Sequence, residues 1–156
     1  RLHYFSDWIF DNQRKGIVKS LTRALGGEPC LKKIDFMTRN ADRYPALGDR
    51  AIFRQMKLVE KRMRRRVRFR LPRRFVKPAD ARIADGDLIA VTATAEGLDV
   101  MHAGLAVRVQ GRIRLLHASS TARKVVVSTE TLDRYLAGSD SRTGILVARA
   151  LDPAKP

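Results

Sequence analysis

The segment VMHAGLAVRVQGRIRLLHASS, residues Val100 to Ser120, decides the fold. β-branched and aliphatic residues flank Gln110-Gly111, a dipeptide suited to a two-residue hairpin turn, and such a turn pairs Val109 with Arg112. Counting back along the ladder sets Gly104 opposite His117 and His102 opposite Ser119. Side chains alternate across a strand and directly opposed residues share a face, so His102, Gly104, His117 and Ser119 all point the same way. The two histidines are then diagonal neighbours with Cα atoms roughly 7–8 Å apart, within reach of an imidazole-to-imidazole hydrogen bond. Gly104 beside them leaves room that a larger side chain would fill. A longer turn would shift the register and undo this arrangement.

Two converging histidines suit nucleophilic catalysis when one takes a proton from a thiol or hydroxyl and the other orients it. They equally suit two half-buried sheet residues whose nitrogens are satisfied by backbone or water. A zinc pair would need a third ligand, and none of the right type stands nearby. Ser119 is a candidate substrate-binding hydroxyl, or a strand-end serine satisfying a local backbone group. His3, four residues before Asp7 in a helical stretch, reads as an ion-pair or packing residue.

Outward from the hairpin, the chain predicts strands at Leu88 to Thr94, Lys124 to Val127 and Gly144 to Ala150, flanking strands His102 to Val109 and Arg112 to Ala118. A short helix, capped by Ser128 or Thr129 and closed near Gly138, turns Leu132, Tyr135 and Leu136 inward. Upstream, Arg1 to Lys15 reads as a helix with Leu2, Phe5, Trp8 and Ile9 on one face and Gly16 ending it. Ile17 to Leu25 is ambiguous between strand and helix, and GGEP at Gly26 to Pro29 places Cys30 in or beside a loop. Ile52, Met56, Val59 and Met63 recur at helical spacing within a second helix from Leu47 to about Met63. Leu71-Pro72 and Lys77-Pro78 break the pattern, and the DPAKP tail reads as frayed. Helices followed by an antiparallel sheet give an α+β fold class. The expected organisation is a single domain over 1–156, helical over 1–65 and sheet-rich over 66–151.

The 156 residues carry 32 Lys plus Arg against 16 Asp plus Glu, a net charge of +16. A partner bearing negative charge follows from that balance. Much of the excess lies in KLVEKRMRRRVRFRLPRRFVK, Lys57 to Lys77, which could grip phosphates or form a solvated helix face running into a strand. The run lacks the interleaved aromatics of a single-strand-binding surface, so nucleic acid is not the expected partner. No apolar run approaches the roughly 20 residues of a membrane helix. A single cysteine excludes an intramolecular disulfide and a multi-cysteine zinc cluster, and no cofactor or metal is expected.

The order GDLIAV (Gly86 to Val91), HAGLAV (His102 to Val107) and LLHASS (Leu115 to Ser120) resembles the strand series of NlpC-type peptidases. RLHYFSDWI at Arg1 to Ile9, IDFMT at Ile34 to Thr38, and the GLDVMHAG and HASS strings resemble, more narrowly, the N-acetylmuramoyl-L-alanine amidase-like branch. The resemblance runs over essentially the whole chain. It implies a papain-like α+β fold and cleavage of the amide between the lactyl group of N-acetylmuramic acid and L-alanine in peptidoglycan fragments. It makes His102 the general base and His117 the third polar residue. It places the nucleophilic cysteine at a helix start upstream of RLHYFSDW, outside this chain, which is therefore expected to be an N-terminally truncated, inactive C-terminal portion. Cys30 then reads as an ordinary thiol. Asp35 stands where relatives are expected to carry asparagine. The implied partners are muropeptides and the implied location is the cell envelope, periplasm or exterior, with oligomeric state left open. The alternative is a non-catalytic basic module binding nucleic acid or a wall polyanion.

Overall fold

The computed structural model describes residues 3–152, so the expectations for Leu2 and for most of the DPAKP tail lie outside the described residues. The hairpin forms as its turn dictates. Gln110 and Gly111 both take left-handed backbone, with φ of 50° and 77°, as a two-residue turn of this twist requires. The ladder runs from Val109↔Arg112 to Leu105↔Leu116, the expected register.

In chain order the elements are α1 (Phe5–Arg14), β1 (Val18–Ser20), β2 (Glu28–Cys30), α2 (Phe36–Arg39), α3 (Arg50–Arg64), β3 (Arg68–Pro72), α4 (Arg73–Ala79), β4 (Leu88–Ala93), β5 (Val100–Val109), β6 (Arg112–Ser119), β7 (Lys124–Val127), α5 (Leu132–Ala137) and β8 (Arg142–Ala150). The strands form one sheet in the order β2-β3-β8-β4-β5-β6-β7, with β1 also pairing β8. Every ladder is antiparallel. The α+β reading stands.

Burial on both sides explains why β4 and β8 are near-continuous apolar runs. On one face Leu71, Ile89, Val91, Ala106, Ile113, Leu115, Ile145 and Val147 pack against Val76 and Ala79 of α4 and Leu132 and Leu136 of α5. On the other, Ala90, Leu146 and Ala148 meet Val18 and Ile9, with Phe5 and Trp8 of α1 alongside. A third cluster gathers Tyr4, Ile34, Met37, Leu47, Met56 and Met63 against α3.

Several expectations need correction. The segment over 1–65 is not purely helical, because β1 and β2 lie within it. Cys30 is the last residue of strand β2 and stands beside a loop, as expected. A 3-10 turn, Pro45–Gly48, precedes α3, whose start is set by Asp49: its Oδ1 accepts the N–H groups of Ala51 (2.7 Å) and Ile52 (3.0 Å). Ile52 is 46% exposed, and the inward stripe of α3 is Met56, Glu60 and Met63 instead. The prolines at 72 and 78 bracket a helix, α4: Pro72 stands at its N-cap and Pro78 in its last turn, where few backbone bonds are lost. Neither Ser128 nor Thr129 caps α5. Ser128 Oγ accepts the N–H of Leu115 and donates to Glu130 O, and Thr131 occupies the cap position.

Two buried carboxylates hold strand ends of this sheet together. Asp87 binds Arg149 through two bonds, Nε–Oδ1 at 2.7 Å and Nη2–Oδ2 at 2.8 Å, and also accepts the N–H of Ala84. Asp80 receives Arg108, Arg112 and the N–H of Ile113. The Gly86-Asp87 pair therefore has a structural role, tying the entry of β4 to the end of β8.

Candidate active site

The two histidines converge as the alternation of strands requires. His102 lies opposite Val91 and Gly104 opposite Ile89, both of the α4/α5 face. His102 Nε2 and His117 Nδ1 are 2.8 Å apart, with rings perpendicular (89°) and centroids 4.8 Å apart. Gly104 makes this approach feasible. A Cβ there would meet Leu115 Cδ1 at 2.9 Å and His117 Cβ at 3.1 Å, and would collide with the carbonyl of Leu116.

The ring of His117 packs edge-on against Tyr135 of α5, 5.5 Å between centroids. Arg142 stacks its guanidinium 4.1 Å from the Tyr135 ring centroid and donates to the Tyr135 carbonyl. These neighbours set the charge state. Burial, then His117, then Arg142 all hold His102 below the usual histidine value, so its ring is neutral at pH 7. With Nε2 engaged by His117, the Nδ1 of His102 remains for a reacting group, the arrangement a general base needs.

A cavity of about 340 Å³ adjoins His102, lined among others by His3, Tyr4, Phe36, Tyr44 and Asp99. Asp99 accepts the backbone N–H of Ser6 at 2.8 Å, and its enclosed position pushes its carboxyl above the usual range against the pull of that bond. Tyr4 donates to Glu60 Oε1 (2.8 Å) and accepts the N–H of Met37 (2.9 Å). Burial pushes its hydroxyl above the usual tyrosine range. Glu60, itself 1% exposed, also accepts the Thr38 N–H (3.1 Å) and hydroxyl (2.6 Å). Sequence alone does not single out Asp99 or Tyr4. For Asp99 the available signal is a carboxylate three residues before His102, whereas Tyr4 reads as one more aromatic on an amphipathic helix.

The remaining candidate residues lie elsewhere or act locally. Ser119 Oγ accepts the N–H of Ala122 at 3.1 Å, the local backbone role. His3 lines the cavity beside His102, while the carboxylate of Asp7 is bound by Arg66. Cys30 does not line the cavity beside His102. It lines a small cavity of about 30 Å³ with Thr92 and Leu146. Asp35 is 3% exposed and carries ion pairs to Lys33 (2.6 Å) and Arg64 (3.5 Å).

The basic run is partly consumed by such pairs. Arg64 reaches Asp35, Arg66 reaches Asp7, Arg68 donates to the Lys32 carbonyl, Arg73 reaches Asp140 and Arg74 reaches Glu28. Among the described residues no group of three or more His, Cys, Asp or Glu could hold a metal ion, and no helix is long and apolar enough to cross a membrane.

The profile of the AmiA-like family, described as N-acetylmuramoyl-L-alanine amidase-like, matches residues 1–145. No curated protein matches. Among solved structures, two of an N-acetylmuramoyl-L-alanine amidase from Bacteroides uniformis are 34% identical to this chain and cover 97% of it, with TM-scores of 0.91 and 0.88. A Bacteroides fragilis structure provisionally named a xylanase is 35% identical over 96% of the chain, with a TM-score of 0.88. The chain spans 65–66% of the length of these three structures.

Proposed function

The chain belongs to the AmiA-like, N-acetylmuramoyl-L-alanine amidase-like family, and from that premise we propose that it carries the histidine half of a cysteine amidase acting on peptidoglycan fragments. The observation that carries the reading is the 2.8 Å bond between His102 Nε2 and His117 Nδ1 at a ring held neutral by its surroundings. The Bacteroides uniformis structures, named as amidases of this kind, support it.

In this reading the fold is papain-like and NlpC-type, and the nucleophilic cysteine is supplied from sequence N-terminal to Arg1. In this reading Cys30 does not serve, because it lines a separate small cavity that His102 does not line. His102 takes the thiol proton at Nδ1, the resulting thiolate attacks the lactyl carbonyl, and the imidazolium returns that proton to the departing amine of L-alanine, leaving an acyl-enzyme. His117 accepts the Nε2 proton of His102 at its own Nδ1 and so fixes the tautomer that leaves His102 Nδ1 basic. Water deprotonated by His102 then releases the muramic acid. Ser119 is a substrate-side hydroxyl only if its turn bond opens. An envelope or extracellular location follows from such a substrate.

The xylanase name of one neighbour suggests a different chemistry, but glycosidases place two carboxyl groups about 5–9.5 Å apart across the scissile bond. Among the described residues, Asp99 is the one carboxylate lining the cavity beside His102. The amidase reading is preferred on that count.

The test is hydrolysis of a muropeptide by the protein extended upstream through its cysteine. Replacing His102 with Ala is expected to lower turnover by roughly 10²–10⁴-fold, with a smaller loss for His117→Asn, which keeps an acceptor. Unchanged hydrolysis by His102→Ala would end the assignment.

A further inference from the structure

A cavity larger than the one beside His102, and lined by different residues, lies further along α1. About 390 Å³ in volume, it opens where α1 and β3 flank Leu146. That size falls in the usual range of small-molecule sites, which are mostly apolar with a few placed polar groups. Its walls fit this description: Ile9, Phe10, Phe69 and Leu146 supply carbon surface, and Phe10 is 38% exposed at the rim.

The charged part is of one sign. Arg23, Arg66 and Arg68 line the cavity, and among the described residues no carboxylate does. Arg66 is committed to Asp7 and stacks 3.7 Å over the Phe10 ring. Arg23 lies over Phe69, 5.3 Å from its centroid, with no carboxylate partner among the described residues. Arg68 donates Nη2 to the Lys32 carbonyl, but its Nε and Nη1 are buried without an acceptor. Buried guanidinium donors left unmatched are costly, and an anion is the acceptor that satisfies them best.

We propose that this cavity binds an anionic amphiphile, a carboxylate or phosphate monoester with an apolar body, its charge on Arg23 and Arg68 and its body along Phe69, Ile9 and Leu146. The site is separate from the histidine pair and does not rest on the amidase reading. Two guanidiniums, Arg23 and Arg68, face the ligand's charge, because the third is already neutralised by Asp7.

Calorimetric titration of the full chain with decanoate and with decanol, each below its aggregation limit, tests the site. Decanoate is expected to bind at least roughly tenfold tighter than decanol, and Arg23→Gln, at an exposed side chain, to weaken decanoate by roughly tenfold. His102→Ala is expected to leave this affinity unchanged. Sedimentation with phosphatidylglycerol vesicles that depends on Arg23 would place the anion in a lipid headgroup, and its absence in a free molecule; either supports the site. Equal affinity for decanoate and decanol, no binding of either, or Arg23→Gln and Arg68→Gln proteins that bind decanoate like the parent would overturn it.

Discussion

At the scale of single residues, the neutral state of His102 is the property most open to direct measurement. Its environment resists protonation, with burial acting first and the charges of His117 and Arg142 adding to it. A histidine resonance titrating below 6.5, the ordinary value, is therefore expected in the folded chain, and Arg142→Gln should move its midpoint upward. The sign carries over to stability. A folded value below the unfolded one means the unfolded chain binds the extra proton first. Stability contributed by this site is therefore present above 6.5 and declines as pH falls through 6.5 toward the folded value. The histidine pair is legible in the sequence because strand alternation and a two-residue turn fix which residues share a face. The cavity partners Asp99 and Tyr4 are not, since they arrive from a loop and from the start of α1 through contacts that no local periodicity encodes.

Elements behave according to their ends as much as their interiors. Helix α3 begins where Asp49 accepts two amide hydrogens, and Asp49→Ala is expected to lower stability by about 1 kcal/mol, measured as a shift of the urea midpoint with unchanged slope. The same element shows why boundaries and inward faces are only partly readable. Ile52 fits the apolar spacing yet sits in the first turn, beyond the reach of the core, while Glu60 replaces it in the interior because Tyr4 and Thr38 satisfy both of its oxygens. A buried carboxylate with distant partners leaves no trace in a hydrophobicity pattern. Helix α4 is hidden for the opposite reason. Prolines at both ends resemble breaks, although Pro at an N-cap or in a last turn is compatible with helix.

For the molecule as a whole, the positive charge has two distinct populations. Arg66 neutralises the buried carboxylate of Asp7, whereas Arg65, next to it, forms no ion pair among the described residues and is exposed. Arg66→Gln is expected to cost about 2–3 kcal/mol by urea denaturation, because Asp7 is left buried without its cation, while Arg65→Gln stays within about 0.5 kcal/mol of the parent. If instead the run were a nucleic-acid grip, both changes would reduce the salt slope of polyanion binding similarly. Composition reveals the excess of charge but not this division, which depends on where acidic residues from α1, β2 and the Lys33–Asp35 segment come to rest.

Strand β8 is the last strand in the chain and pairs along both of its edges. One edge receives β1 through Val18↔Ala150 and β3 through Leu71↔Ile145, and the other receives β4. During synthesis the strands near the N-terminus therefore emerge long before the partner that pairs them, and the sheet cannot close until β8 has left the ribosome. Contacts of such sequence separation fold slowly. Pulse-labelled hydrogen exchange is expected to show the amides of β1 and β3 gaining protection together with those of β8, and after those of the β5–β6 hairpin, whose strands are neighbours in sequence and form the histidine-bearing ladder without waiting for the rest.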